Sequence, residues 1–387
     1  MRMVRSLFYL FTLSIPLISC NQLSKNESNY NAEESITLTF SKSIQLDISE
    51  NFPKLQGNPL FFSDKTGSYF YIQTSNGIGT FDLQKGGKSI SYLRLNEVEN
   101  FRGKHSTGQN HFIPYSKDGF VYFERQNDEI YIFENGKSIQ SQKLARIIGD
   151  NPKPLSGVLK FAVKPKQLIT ALNMAEIFAK PPFIYQNQQN TIGVFDQDLQ
   201  EFDAFLPLPA EYIDKKVNVY DLLFSMDYIQ NEDEFMINFP VSDSLIFTRD
   251  FKNFDKIAAT PKKGFVKMDN RSGIHMGEWK KEYYTDNTFF TSYYDSFRDL
   301  YIRHYRKALS ESEFELVEQN SFKMFHPKNE NFLLFLDREG NHLHTMDVSD
   351  FNHLYVHFGK EGMYILNDTE LENEDLLTFS LFNIEKN

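Results

Sequence analysis

One cysteine in 387 residues leaves the chain unable to close a disulfide on itself. Ordinary packing must hold the fold, and a chain of this length can bury a core large enough to do so. Positive charge is also short: 41 lysines and arginines stand against 52 aspartates and glutamates, for a net charge of −11. A polyanionic protein is repelled by phosphate backbones and anionic lipid surfaces. That speaks against nucleic-acid binding and leaves membrane attachment to something other than net charge. No G-x-x-x-x-G-K-[ST], G-x-S-x-G or H-E-x-x-H pattern occurs. Phosphate cradling, the hydrolase elbow and zincin chemistry thus lack their local signatures, and no motif calls for a cofactor. Gly77-Ile78-Gly79 reads as a hairpin turn and nothing larger. No apolar run reaches the roughly 20 residues of a membrane-spanning helix.

What is there begins at the N-terminus. Arg2 and Arg5 precede an apolar stretch from Ser6 to Pro16, and Leu17-Ile18-Ser19-Cys20 follows. A charged start, a short apolar centre and a small residue before the cut make a secretory leader. The cysteine makes it look like a bacterial lipobox, in which the thiol takes a diacylglyceryl group and cleavage falls just before it. The alternative is a plain secretory leader with a chance cysteine. Residues 1–19 are therefore predicted to be a lipoprotein signal peptide and Cys20 the lipid-attachment site. Acyl chains bind a bilayer by about 0.8 kcal/mol per buried methylene, so the anchor needs no help from net charge. Asn21 is not the Asp that retains lipoproteins in the inner membrane, which points to the outer membrane, on either its periplasmic or its surface face. Asn21 to Ser35 is polar and aperiodic and reads as a flexible tether, giving 20–35 with Cys20 included.

From Ile36 to Asn387 the texture is uniform: short apolar and aromatic runs alternate with turn signals. The clearest unit lies between His111 and Leu144. Phe120-Val121-Tyr122-Phe123 follows the turn Lys117-Asp118-Gly119. Glu129 to Phe133 comes next, and Asn135-Gly136 turns into Ser138 to Leu144. Asn-Gly between two β-rich runs is the strongest short hairpin signal, because a type I′ turn needs positive φ at both central residues. With His111 to Tyr115 the unit is a four-stranded antiparallel meander. Similar sets run over Leu60 to Leu95, Thr191 to Leu206, Leu222 to Ala259, Thr288 to Val317 and Phe332 to Ile384. The fold class is all-β, a β-propeller over residues 36–387. Six blades of four-stranded meanders with long loops are preferred, although seven would also fit the usual blade of about 40–50 residues. Ile36 to Ile48 is expected to complete the last blade and so close the ring. The 38 Phe and 20 Tyr suit stacked sheets, while Trp279 is alone. Lys166 to Ala179 departs from the pattern and reads as a helix, or as a strand followed by one, ended by Pro181-Pro182.

The lipobox, the run Ser292 to Tyr301 (SYYDSFRDLY), the segment Gly359 to Ile365 (GKEGMYI) and the ending Leu377 to Phe382 (LTFSLF) together resemble a known family. These are lipoproteins of Bacteroidetes carrying the domain of unknown function numbered 4221, which resemble six-bladed propellers. The resemblance implies the fold and brings no activity, substrate or cofactor.

Candidate chemistry is sparse. Asp295 and Arg298 are placed at a hairpin, where they would pair across the turn or reach into the axial mouth as a carboxylate- or phosphate-binding site. His342 and His344 lie two apart on one strand face, with His353 and His357 close behind. Four imidazoles could hold a borderline metal, or they could simply be polar residues on the solvent side of the sixth blade. Asp368, Glu370, Glu372, Glu374 and Asp375 supply oxygen ligands without calcium-loop spacing. Asp243-Ser244-Leu245 resembles a short O-glycan acceptor motif. The function expected is a lipid-anchored, non-enzymatic binding or scaffolding module for an envelope protein, peptide or glycan. The alternatives are a propeller hydrolase or lyase built from scattered carboxylates and histidines, and a purely structural envelope component.

Overall fold

The computed structural model describes residues 35–48, 60–74, 77–102, 111–124, 129–143, 154–162, 167–172, 190–196, 200–207, 209, 212, 224–262, 281, 284–319, 330–367 and 376–387. The predicted leader, Cys20, the tether before Ser35, Trp279 and the acidic run 368–375 lie outside them.

Six four-stranded antiparallel sheets follow one another along the chain. Blade one is β2 (Leu60–Asp64), β3 (Gly67–Gln73), β4 (Gly77–Asp82) and β5 (Lys88–Arg94). Blade two is β6 (His111–Ser116), β7 (Gly119–Glu124), β8 (Glu129–Glu134) and β9 (Lys137–Lys143). Blade three is β10 (Pro154–Ala162), β11 (Gln167–Leu172), β12 (Asn190–Phe195) and β13 (Phe202–Pro207). Blade four is β14 (Ser225–Ile229), β15 (Glu234–Asn238), β16 (Ser244–Thr248) and β17 (Asp255–Ala258). Blade five is β18 (Thr288–Asp295), β19 (Leu300–Arg306), β20 (Asn331–Leu336) and β21 (His342–Asp347). Blade six is β22 (Phe351–Gly359), β23 (Gly362–Asn367) and β24 (Leu376–Lys386), with the N-terminal β1 (Ile36–Asp47) as its outer strand.

The first strand of each blade touches the first strand of the next, from β2 round to β22 and back to β2, so these six strands encircle the axis. β1 pairs with β24 from Ile36 opposite Lys386 to Asp47 opposite Leu376. The two ends of the chain thus share one sheet, and the ring is closed by hydrogen bonds, as the sequence implied. The expected six-bladed fold is present.

Local chemistry explains the strands. Asn135 and Gly136 have φ of 50° and 75°, the type I′ signature, and the Asn135 amide donates to the Asp118 carbonyl of the neighbouring turn at 2.9 Å. β3, β7 and β19 are buried along their whole length, because each is the second strand of its sheet and is covered by a blade on either side. Between blades six and one, Leu46, Phe70, Phe81 and Phe379 pack together, and Val121, Ile132, Leu168 and Phe195 do so between blades two and three. Each such side chain contributes about 1.5–3 kcal/mol by leaving water.

Two sequence expectations are corrected and a third is narrowed. Gly77 and Gly79 lie inside β4 and not in a turn. A Cβ on Gly77 would fall 2.1 Å from the Leu93 carbonyl oxygen, so glycine is needed for close strand approach. Gln167 to Leu172 is a strand, while 173–179 lies outside the described residues. The segment from Phe332 to Asp347 belongs to blade five and not to the last blade. A connection over 307–330, with the helix α1 (Glu311–Gln319), separates the two halves of that blade. Ser310 and Glu313 form a capping box at its start: the Glu313 carboxylate accepts from the Ser310 amide at 2.7 Å, and the Ser310 hydroxyl accepts from the Glu313 amide at 3.3 Å.

The antiparallel order sorts the connections onto two sides. On one side the links among the described residues are tight, such as 65–66, 117–118, 135–136, 296–299 and 360–361. On the other side lie the strand ends joined by the long connections 95–110, 144–153, 173–189, 208–224, 259–287 and 307–330. We call these the turn side and the loop side.

Candidate functional site

The axis is lined by first strands whose inner edges have no sheet partner. β14 supplies side chains that satisfy the edge of β18. The Ser292 amide donates to Ser225 Oγ at 3.1 Å and the Tyr294 amide to Asp227 Oδ2 at 2.9 Å. Beside them burial raises the phenol pKa of Tyr293, with the Asp227 charge adding to the effect. Asp227 is thus the carboxylate that the fold brings to the axial edge between blades four and five. The sequence offered no cue for it, because Ser225-Met226-Asp227 reads as an ordinary strand start.

Across the ring, β22 meets β2. His357 Nε2 lies 2.6 Å from Ser63 Oγ, and its ring stacks on Phe61 at 4.8 Å with 6° between planes. Ser63 donates onward to Ser68 at 2.8 Å, Ser68 bonds to the Tyr364 hydroxyl, and Tyr364 donates to Glu361 Oε2 at 3.0 Å. Burial, and then the Glu361 charge, push the Tyr364 phenol up. A relay of hydroxyls therefore joins an axial imidazole to a turn-side carboxylate.

Asp295 and Arg298 sit in the β18–β19 turn, as expected, and they pair at 2.9 Å. The turn carboxylate also accepts the amides of Phe297 at 3.0 Å and Arg298 at 3.3 Å. Arg298 then reaches across to blade six: Nη1 donates to the Gly359 carbonyl at 3.0 Å, Nη2 to Lys360 at 3.0 Å and Nε to Ile384 at 3.3 Å. The guanidinium is a clasp between blades five and six. Burial raises the pKa of Asp295, and the Arg298 charge opposes that rise.

The histidines do not come together as one face. His342 and His344 lie on β21, the outer strand of blade five, where a bulge puts both opposite Phe335 and Leu336. His342 Nε2 bonds to Thr345 Oγ1 at 2.7 Å, and His344 packs on Phe335. His357 is on the inner strand of blade six. His353 lies on the same strand, its side chain outside the described residues. The solvent side of blade six is therefore not where His342 and His344 stand. No group of three or more metal-ligating side chains occurs among the described residues. Ser244 opens β16, half-buried, and donates to Asp243 Oδ1 at 2.8 Å.

Arg303 went unnoticed in the sequence. It lies on β19, fully buried, between blades five and four. Nε donates to Asn238 Oδ1 at 2.7 Å, Nη1 to the Ala259 carbonyl at 2.7 Å, and Nη2 to the carbonyls of Ser242 at 2.7 Å and Phe239 at 3.3 Å. The guanidinium carbon lies 3.2 Å from the centre of the Phe289 ring. Desolvation lowers its pKa, which the nearby Asp243 charge counters. Blade five also holds Arg338, which pairs with Glu232 and donates to the Tyr301 hydroxyl at 2.7 Å. Blade five is thus clasped to both neighbours.

Among solved structures, the chain resembles a member of the DUF4221 family from Bacteroides vulgatus. The TM-score is 0.72 at 15% identity, over 92% of this chain and all of that one. It also resembles a presumed exported protein from Bacteroides fragilis, at TM-score 0.56 and 10% identity over 93% of this chain and 98% of the other. These likenesses speak to the fold, and the first agrees with the family resemblance carried by SYYDSFRDLY and GKEGMYI. Neither a protein-family model nor a curated protein matches the chain.

Proposed function

We propose that the chain is a lipid-anchored envelope propeller, held at the outer membrane through Cys20, that binds or scaffolds a protein, peptide or glycan through its loop side. The carrying observation is the sorting of connections: the long links all emerge on one side, whereas the other is made of tight turns tied to one another. Binding surfaces sit on loops held by a rigid frame. The exported relative from Bacteroides fragilis supports an envelope location. No helix among the described residues is long and apolar enough to cross a membrane.

The test is a cross-linking pull-down from the envelope with two sets of variants. Replacing 263–280 or 208–223 by short Gly-Ser linkers should abolish recovery of a partner, whereas Lys360→Glu on the turn side should not. Loss in the turn-side variant with full recovery in the linker variants would overturn the reading. A second reading, an axial hydrolase, draws on the 2.6 Å contact between Ser63 and His357. A fluorophosphonate probe that labels Ser63, and stops doing so in His357→Gln, would favour it.

A further inference from the structure

Four large apolar side chains stand exposed among the described residues: Phe40 at 52%, Ile90 at 39%, Ile139 at 54% and Leu316 at 52%. Leu316 belongs to α1 on the loop side. Ile90 and Ile139 occupy one recurring position, the extra residue of a β-bulge in the outermost strands of blades one and two, and Phe40 stands next to the bulge in the outermost strand of blade six, opposite Phe382 and 5.9 Å from its ring. In β5, Phe81 faces Ser89 and Thr80 faces Ser91, so Ile90 is the extra residue. In β9, Phe133 faces Ser138 and Ile132 faces Gln140, so Ile139 is. In β1 the register shifts between Phe40 and Lys42, so Ser41 is the extra residue and Phe40 is its neighbour. The sequence recurs with the geometry, as Lys88-Ser89-Ile90 and Lys137-Ser138-Ile139. A bulge protects an exposed edge from pairing with another chain, and polar residues would do that as well. Isoleucine in that place adds apolar surface toward water.

Both isoleucines follow closely on turn-side links, 83–87 and 135–136. The N-terminal strand enters on the same side. The Asn387 amide donates to the Ser35 carbonyl at 2.8 Å, and Leu38 pairs with Ile384, whose carbonyl accepts from Arg298 in a turn-side link. On the tether reading of 20–35, a coil of that length has a root-mean-square span of about 20–25 Å, so an anchor at Cys20 would hold this side, and not the loop side, close to the bilayer.

We infer that the turn side of blades six, one and two rests on the membrane surface. Phe40, Ile90 and Ile139 insert at headgroup level, and Lys42 and Lys88 lie beside them with their ammonium groups among lipid phosphates, while Lys137 pairs with Glu99 at 3.9 Å. Three adjacent contacts fix the tilt of the ring, with blade one lowest, and turn the loop side outward. The inference rests on the lipid-anchor reading and gives the orientation that it leaves open. Apolar insertion is the attraction, since the acidic whole is repelled by anionic lipid.

The scarcity of cysteine makes the test clean, because an introduced thiol is the only free one once Cys20 carries lipid. Ile90→Cys, Ile139→Cys and, as a loop-side control, Asp350→Cys are each labelled with a polarity-sensitive fluorophore. The lipid-anchored protein is then placed on vesicles of phosphatidylethanolamine and phosphatidylglycerol. Aqueous iodide should quench positions 90 and 139 at least about threefold less than position 350. The Phe40→Ser, Ile90→Ser, Ile139→Ser triple variant of the unlipidated chain should partition onto the same vesicles at least about tenfold more weakly than the unsubstituted chain. Equal quenching at all three positions overturns the inference. So does shielding of 90 and 139 without vesicles, which would mark a contact between proteins. Failure of the anchor shows separately, as an unmodified Cys20 in the mass of the leading peptide, and the partition experiment still decides the docking.

Discussion

Where blade four meets blade five, a guanidinium shut away from water holds the seam. Where blade one meets blade two, aromatic rings hold it. Arg303 donates four hydrogen bonds to neutral oxygens at two places on blade four, the 238–242 segment and Ala259. The other seam packs Tyr71 on Phe112, Phe112 on Phe120 and Phe120 flat on Phe133 at 4.5 Å. Both seams exclude water. The first is directional throughout, a planar fork meeting several carbonyls in one geometry alone, whereas at the second only the Tyr71 hydroxyl is aimed, donating to the Lys117 carbonyl at 3.0 Å, and the rings around it tolerate sliding and tilting. The seam between blades five and six lies between these extremes, with Arg298 answered by a carboxylate as well as by three carbonyls.

The sharpest way to break the contrast is to remove the fork. Arg303→Met keeps much of the volume and leaves four oxygens without their donor. It should cost about 3–5 kcal/mol of unfolding free energy, read by urea denaturation. Arg303→Lys keeps the charge but cannot span the same oxygens, so it should recover less than about half of that loss. Full recovery by lysine would show that charge, and not direction, closes the seam.

A milder result is expected at the aromatic seam. Phe133→Leu should cost only about 1–1.5 kcal/mol, since a ring wall can repack around a smaller apolar group. A loss as large as that of Arg303→Met would erase the distinction.

The smallest effect lies at the third seam and depends on pH. Burial raises the carboxyl pKa of Asp295 above its unfolded value, so the folded chain binds the proton more readily. Its contribution to stability is then fullest below the unfolded value of about 3.9 and is lost as pH rises through the folded pKa. The difference in urea midpoint between the natural chain and Asp295→Asn should therefore move in the natural chain's favour as pH is lowered from neutral toward that range. A shift in the opposite direction would mean that the Arg298 pairing outweighs burial.

Much of this was legible locally. Asn135-Gly136, Lys117-Asp118-Gly119 and the alternating apolar runs announced blade two almost strand by strand, because turn chemistry and strand preference act over a few residues. Ring closure by Ile36 to Ile48 followed from the need to cover an edge. The pairing of Asp295 with Arg298 was legible too, but its destination was not: the carbonyls of Gly359, Lys360 and Ile384 are distant in sequence. Arg303 and His304 in LYIRHYR looked like ordinary polar strand positions, yet both are buried, because a strand between two blades has no solvent side. The blade boundary near Phe332 was misplaced because 307–330 interrupts a blade without ending it, and the Ser310–Glu313 capping box was the cue.

By itself the sequence determined the β texture and the tight turns, since backbone preference and apolar patterning are local properties of neighbouring residues, while six blades against seven was decided by the sheets. It also carried the prediction of a lipid anchor in Leu17-Ile18-Ser19-Cys20. Only the tertiary structure decided which charged side chains clasp which blades, that Asp227 and His357 stand at the axis, and that Ile90 and Ile139 share one bulged position in the outer strands. Those facts depend on where strands meet after the ring closes. Close contacts between residues far apart in the chain are fixed by packing and leave no local trace.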